Sequence, residues 1–181
     1  GKFWRNSNHP SPHRIIALHG WLDNAASFDF IAPHIHNAEI LALDLSGHGC
    51  SDHRSYLGAY NIWQDLIEIL MVADRMEWKT FSVMGHSRGS VIGMLLAGCF
   101  PERIMSNVMI EWVLPDFADV VSMPQQIAKS ISSSLLLHHR ARHYYDTKES
   151  AVSARVNGKF PVLPEAALAL AQRGVHHEEG G

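Results

Sequence analysis

The pentapeptide Gly85-His86-Ser87-Arg88-Gly89 sets a serine between two glycines, directly after an apolar run and directly before a stretch of helical periodicity. A serine in so tight a strand-to-helix turn projects its hydroxyl at the carboxyl edge of the sheet. The glycines keep side chains off the crowded turn, and the neighbouring helix N-terminus favours negative charge developing beside it. The chemistry such a residue offers is attack on an acyl carbon, with Ser87 as the nucleophile. The plainer alternative is a serine in an ordinary strand-helix turn; the elements on both sides favour the first reading.

Attack on a carbonyl also needs N–H donors aimed at the oxygen where charge develops. His19-Gly20-Trp21 ends an earlier apolar run, and the backbone amides of Trp21 and Arg88 are the two candidate donors. The alternative use of His-Gly-Trp is a tight turn with Trp21 packed into the core. His19, Gly20, His86, Glu111 and Trp112 are the further residues expected to line a pocket around Ser87. His48, in a glycine turn, and His86 are expected to be structural or cleft-lining rather than basic catalysts.

Thirteen histidines raise the question of a metal. They include His34-Ile35-His36, His138-His139 and His176-His177, none with a carboxylate or cysteine at a ligand spacing, so no metal and no cofactor is expected. Cys50 and Cys99 show no CxxC spacing and read as free thiols of a reducing compartment.

Four short apolar runs, at residues 14–18, 39–44, 80–85 and 106–111, fit strands buried on both faces. Between them Ile62, Leu66, Ile69, Leu70, Ala73 and Met76 recur at helical spacing behind Asn61 as N-cap. A second helix runs from Ser87 to about Phe100, where Pro101 ends it, and a shorter one is expected over Phe28 to Ile35. Strands alternating with helices imply crossover connections and a mostly parallel sheet of the α/β class. Such a sheet brings Trp21, Ser87 and Glu111 to one edge, outside the carboxyl ends of the strands. After Pro115 the strand-like runs stop. Helices are expected over Ile127 to Tyr145, Lys148 to Val156 and onward from Pro164, so residues 1–115 read as the core and 116–181 as a helical cap or lid.

The chain has 181 residues, 46% hydrophobic and 18% charged, which suits one packed domain. Its net charge of −3 offers no broad positive field, so nucleic acid is not an expected partner. No apolar run reaches the roughly 18 residues that a membrane span requires. The start carries no signal-peptide pattern, and a soluble, cytoplasmic protein is expected. Both ends read as cut.

Three ordered blocks carry a resemblance: residues 19–28, His19-Gly20-Trp21-Leu22-Asp23-Asn24-Ala25-Ala26-Ser27-Phe28; residues 44–51, Asp44-Leu45-Ser46-Gly47-His48-Gly49-Cys50-Ser51; and Gly85-His86-Ser87-Arg88-Gly89-Ser90. In order, spacing and flanking residues they are similar to the signature blocks of the α/β-hydrolase fold, in particular its serine-hydrolase-like group. The segment after Pro115 resembles that group's helical cap, down to Leu168-Ala169-Leu170-Ala171-Gln172-Arg173-Gly174. The resemblance implies a partial α/β-hydrolase fold without the last core strands. Lys2 to Arg5 would be the end of the family's second strand. It also implies a catalytic acid after the next core strand and a histidine after the last, and the sequence stops before either. Glu111 stands where some relatives supply the acid and Asp116 follows closely, but shaping the pocket floor or the cap junction is its expected role. His138, His139, His143, His176 and His177 fall in the cap and are not nominated as base.

The function so implied is hydrolysis of a carboxylic ester, thioester or similar small-molecule acyl substrate through an acyl-enzyme on Ser87, with Trp21, Phe28 and Trp112 favouring an apolar group. Residues 1–181 alone are expected to be close to inert. Other chemistries of the fold, carbon-carbon bond hydrolysis or perhydrolysis, and a non-catalytic binding remnant stay open. So does the oligomeric state.

Overall fold

A strand flanked by helices on both faces carries apolar side chains at successive positions rather than alternate ones. β2 (His13–Leu18) and β4 (Phe81–His86) do so, and they form the middle of the sheet. The structure is a computed structural model, and it describes residues 1–8, 12–55, 60–111, 119–137 and 144–176, without the side chains of 134–137.

Among the described residues there are five strands in the order β1-β3-β2-β4-β5, with β1 at Lys2–Arg5, β3 at Ala38–Leu43 and β5 at Ile104–Ile110. β2 lies parallel to β3 and β4, and β4 parallel to β5; β1 alone runs antiparallel, on the outer side of β3. Each parallel step needs a crossover. α1 (Ile62–Arg75) connects β3 to β4, and α2 (Arg88–Cys99) connects β4 to β5. The side chain of Asn61 accepts a hydrogen bond from the Gln64 amide and so caps α1, as expected.

The core lies on both faces of the sheet. On one, Ile16, Leu18, Phe81 and Val83 meet Leu66, Ile69 and Ala73 of α1 and Ile92 and Leu96 of α2. On the other, Ala17, Ile40, Ala42 and Met84 pack on Ala25, Phe28 and Ala32. The helix expected over Phe28 to Ile35 is instead two short 3₁₀ turns, Ala25–Phe28 and Ala32–His34. Asn24 starts the first early by accepting from the Ala26 amide, and Pro33, which has no N–H, prevents one continuous helix. Phe28 is buried in this core and faces no substrate, contrary to the sequence expectation.

Among the described residues three α-helices follow the sheet: α3 (Met123–Leu137), α4 (Lys148–Val156) and α5 (Pro164–Gly174). α3 begins before the expected Ile127, because Pro124 is well tolerated in a first turn, and the last part of its expected span, 138–143, lies outside the described residues. α4 and α5 pack on each other, and α5 also packs on Ala25–Phe28, through the small side chains of Ala151, Ala167 and Ala171. No described helix is long and apolar enough to cross a membrane.

Polar anchors finish the docking. Arg173 of α5 donates through Nε to both oxygens of Asp44, at 2.9 Å each, and through Nη2 at 2.5 Å. Arg155 of α4 donates to Asp23 Oδ1 at 2.7 Å, and Asn24 Nδ2 donates to the Leu170 carbonyl at 2.9 Å. The Asp44 side chain has no exposed surface, so removing the Arg173 guanidinium leaves a buried charge without a side-chain counter-ion. Arg173→Met is expected to cost on the order of 3 kcal/mol in urea unfolding. It should also open α5 to limited proteolysis. Loss of less than about 1 kcal/mol, within the range of exposed pairs, would show that the contact is incidental.

Candidate active site

Register decides where the candidate residues meet. Leu18 pairs with Gly85, and His86 pairs with Ile110, so the carboxyl ends of β2, β4 and β5 are level. The residues that follow, Trp21, Ser87 and Glu111, therefore gather at that edge, as the sequence predicts. Trp112 and Asp116 lie outside the described residues, as do His138, His139, His143 and His177. A surface cavity of about 640 Å³, lined by Asp74, Glu77, Trp78, Lys79 and Arg103, opens near the amino ends of β4 and β5, away from these residues.

Ser87 holds φ 50° and ψ −113° between β4 and α2. An L-residue in that region is strained and must be held there by its surroundings. Its amide donates to the Ile110 carbonyl at 3.0 Å, and its carbonyl accepts from the Ser90 amide at 2.9 Å. The buried Ser90 hydroxyl donates to the Gly85 carbonyl at 2.7 Å and bonds the Ile110 backbone, which locks the turn onto β5. A side chain at Gly89 would collide with the Leu18 backbone, and one at Gly85 with the Gly89 backbone. The glycines of the pentapeptide thus let strand, turn and helix close to contact distance.

His19 is fully buried. Its Nε2 accepts from the Leu45 amide at 3.0 Å, which leaves the proton on Nδ1 to bond the Gly20 carbonyl at 2.7 Å. The Gly20 carbonyl also accepts from the Asp23 amide at 3.2 Å. A trans peptide unit is planar, so fixing this carbonyl turns the Trp21 N–H the opposite way, out of the loop's own hydrogen bonding. Burial, with the nearby His48 acting in the same direction, lowers the His19 pKa to about 4, so the ring is neutral at pH 7. Trp21 itself is half exposed rather than packed in the core.

His86 stands between two carboxylates, with Nε2 2.9 Å from Glu111 Oε2 and Nδ1 3.7 Å from Asp23 Oδ2. Glu111 has φ 74° and is largely exposed. Arg88 pairs with the buried Asp65. Burial alone would push the Asp44 carboxyl up, but the Arg173 hydrogen bonds and the Ala25 amide hold it well below the usual carboxylate range. Cys50 and Cys99 are free thiols. Among the described residues no three His, Cys, Asp or Glu side chains converge as a metal would require.

Sequence reasoning missed Asp23, Asp44 and Asp65 as parts of this edge. Asp65 left one trace, as a carboxylate inside the apolar stripe of α1. The partners of the other two lie 132 and 129 residues away, beyond any local pattern.

Comparison with known proteins agrees with this architecture. The α/β-hydrolase-fold family matches residues 13–136, and the chain belongs to that family. A serine hydrolase-like protein of Dictyostelium discoideum is 34% identical over 174 residues, covering 91% of this chain and 46% of that protein. One of Danio rerio is 27% identical over 188 residues, covering 100% and 56%. The crystal structure of a hypothetical protein from Pseudomonas aeruginosa PAO1 superposes with a TM-score of 0.90 at 40% identity, over 96% of this chain and 61% of that one. The chain spans about half the length of the curated relatives it matches. These relatives support a hydrolase in general terms.

The titration of His19 gives a test of its charge state. Its folded pKa, about 4, lies below the ordinary 6.5, so the folded state binds fewer protons than the unfolded one between those values. Its contribution to stability is therefore present above pH 6.5 and lost as pH falls toward 4, by on the order of 2 to 3 kcal/mol. Urea unfolding at pH 7.5, 5.5 and 4.5 should show a steeper acid loss for the wild type than for His19→Asn. Parallel curves would refute a buried neutral imidazole.

Proposed function

We propose that Ser87 is the nucleophile of a serine hydrolase that acts on a carboxylic ester or related acyl compound through an acyl-enzyme. The observation that carries this reading is the strained backbone of Ser87, φ 50° and ψ −113°, held at the carboxyl edge between β4 and α2. Strain of this kind persists where the surroundings enforce it, and in a strand-to-helix turn it lifts the serine hydroxyl clear of the sheet. The amides of Trp21 and Arg88 are the donors for the developing oxyanion. They cost no reorganisation at the moment of reaction, because one is set by the His19-anchored peptide and the other opens α2.

Residues 116–181 act as a cap in this reading, with Arg155 and Arg173 fastening it to the core. A general base is still needed, since a neutral serine is a weak nucleophile. Of the histidines nearest the turn, His19 spends both ring nitrogens on backbone groups and His86 faces Glu111. The reading therefore places the base and its acid outside residues 1–181, on polypeptide that the relatives carry beyond the matched part. Glu111 shapes the pocket floor beside His86. The substrate is a small molecule and no cofactor enters the reaction.

In the whole protein, Ser87→Ala is expected to lower turnover of a short activated ester by about 10⁴-fold or more, because the members of such a set act as a unit. A variant that keeps more than about a tenth of wild-type turnover, against that expected loss, sinks the assignment. Residues 1–181 by themselves should show no Ser87-dependent turnover above about 10³ to 10⁴ times the water reaction, the residue left to donor groups alone. Ordinary enzyme rates from that piece would place a base inside it.

A further inference from the structure

The amide of Arg88 serves the proposed oxyanion site, and its side chain does something separate. The guanidinium pairs with Asp65, whose side chain is 3% exposed. The other Asp65 oxygen accepts from Arg54 Nη2 at 2.9 Å, and Arg54 also pairs with Glu68 at 2.9 Å. Asp65 is thus a fixed anchor, a buried carboxylate held between two cations on α1. From this anchor the Arg88 guanidinium reaches over the indole of Trp21, 5.1 Å from the ring centroid. Elsewhere the indole meets the His48 ring edge-on at 5.5 Å, and His48 in turn bonds the Ser46 carbonyl at 3.0 Å.

The Trp21 loop needs such support. Trp21 is 53% exposed and Leu22 75%, so apolar burial does not fix the loop's tip. His19 fixes the Gly20 carbonyl, which sets the direction of the next N–H but leaves its distance from α2 free. We propose that the Arg88 side chain, clamped by Asp65, is a brace across the oxyanion site: it ties Trp21 to the start of α2 and keeps the two donor amides at working separation. Arg88 and Asp65 are then positioning residues for acyl transfer. The proposal rests on Ser87 as nucleophile. Arg88 suits the task because its planar guanidinium pairs with a carboxylate at its edge while its face stacks on a ring, which the point charge of lysine does not reproduce.

A double-mutant cycle in the whole protein tests it, with Arg88→Met, Trp21→Leu and the double variant assayed on p-nitrophenyl acetate. Each single change is expected to lower kcat roughly ten- to hundredfold, as a small misplacement of a donor does, with KM nearly unchanged. The double variant should be no slower than the slower single variant, because both remove one brace. Arg88→Lys should recover little. Losses that multiply in the double variant, or that fall on KM alone, overturn the brace. If Ser87→Ala abolishes turnover while the cycle multiplies, the brace fails and the nucleophile stands. If Ser87→Ala stays active, the nucleophile reading fails instead. A second readout needs no turnover: with 5-fluorotryptophan incorporated, the Trp21 ¹⁹F resonance, assigned by its loss in Trp21→Leu, should shift toward that of free indole in Arg88→Met and in Asp65→Asn. An unmoved resonance in folded Arg88→Met overturns the contact itself.

Discussion

The carboxyl edge of this sheet depends on one buried carboxylate, Asp44, at the end of β3. It accepts from the Ala25 amide at 2.9 Å, from the Cys50 amide at 3.3 Å, and from the Arg173 guanidinium. Those partners belong to three separate parts of the chain: the turn after the Trp21 loop, the glycine turn after β3, and α5. A charge without exposed surface is tolerated only when its hydrogen-bonding capacity is filled, so these parts have one joint solution rather than three independent ones. The Trp21 loop owes its outer boundary to that carboxylate as much as to His19.

Apolar burial and polar pairing divide the labour. The sheet and its two α helices are held by side chains that need only the right size and spacing, and Phe81, Ile69, Ile92 and Leu96 fill that space on one face. The edge cannot be built that way, because in the proposed reaction its donors must remain open to an incoming carbonyl. There the backbone is held instead by directional bonds: Ser90 on Gly85 and Ile110, His19 on Gly20 and Leu45, Asp44 on Ala25. The strain at Ser87 is the cost, and the Ser90 hydroxyl with the Ile110 carbonyl offsets it.

This division also explains what was legible in the sequence. Strands β2, β3, β4 and β5, the Asn61 cap, α4 and the turn at Ser87 announce themselves through period, run length and glycine spacing, which are local properties. Trp21, Ser87 and Glu111 could be placed on one edge from strand order alone. Arg155 with Asp23 and Arg173 with Asp44 could not, since nothing near either aspartate marks which distant arginine will reach it. Phe28 was misjudged for a related reason. An aromatic soon after the Trp21 loop looks cleft-lining, but its packing partners include Ala17, Ile40 and Met84 of the sheet. The 3₁₀ turns around it escaped because Asn24 and Pro33 each signal a boundary, and only together do they divide one helix into two turns.

β5 ends the described sheet with one neighbour, β4, and it exposes apolar side chains on both faces, Val108 on the face of Met84 and Met109 on the other. A bare strand laid along that edge would satisfy the backbone yet leave both faces wet, and it would present a fresh edge of the same kind. Addition of that sort has no natural stopping point, so it builds ribbons rather than closed pairs. Only a strand that arrives with layers above and below it can terminate the series. The described edge is therefore a place where another strand can pair, and a neighbouring α/β unit is what would cover it together with both apolar faces.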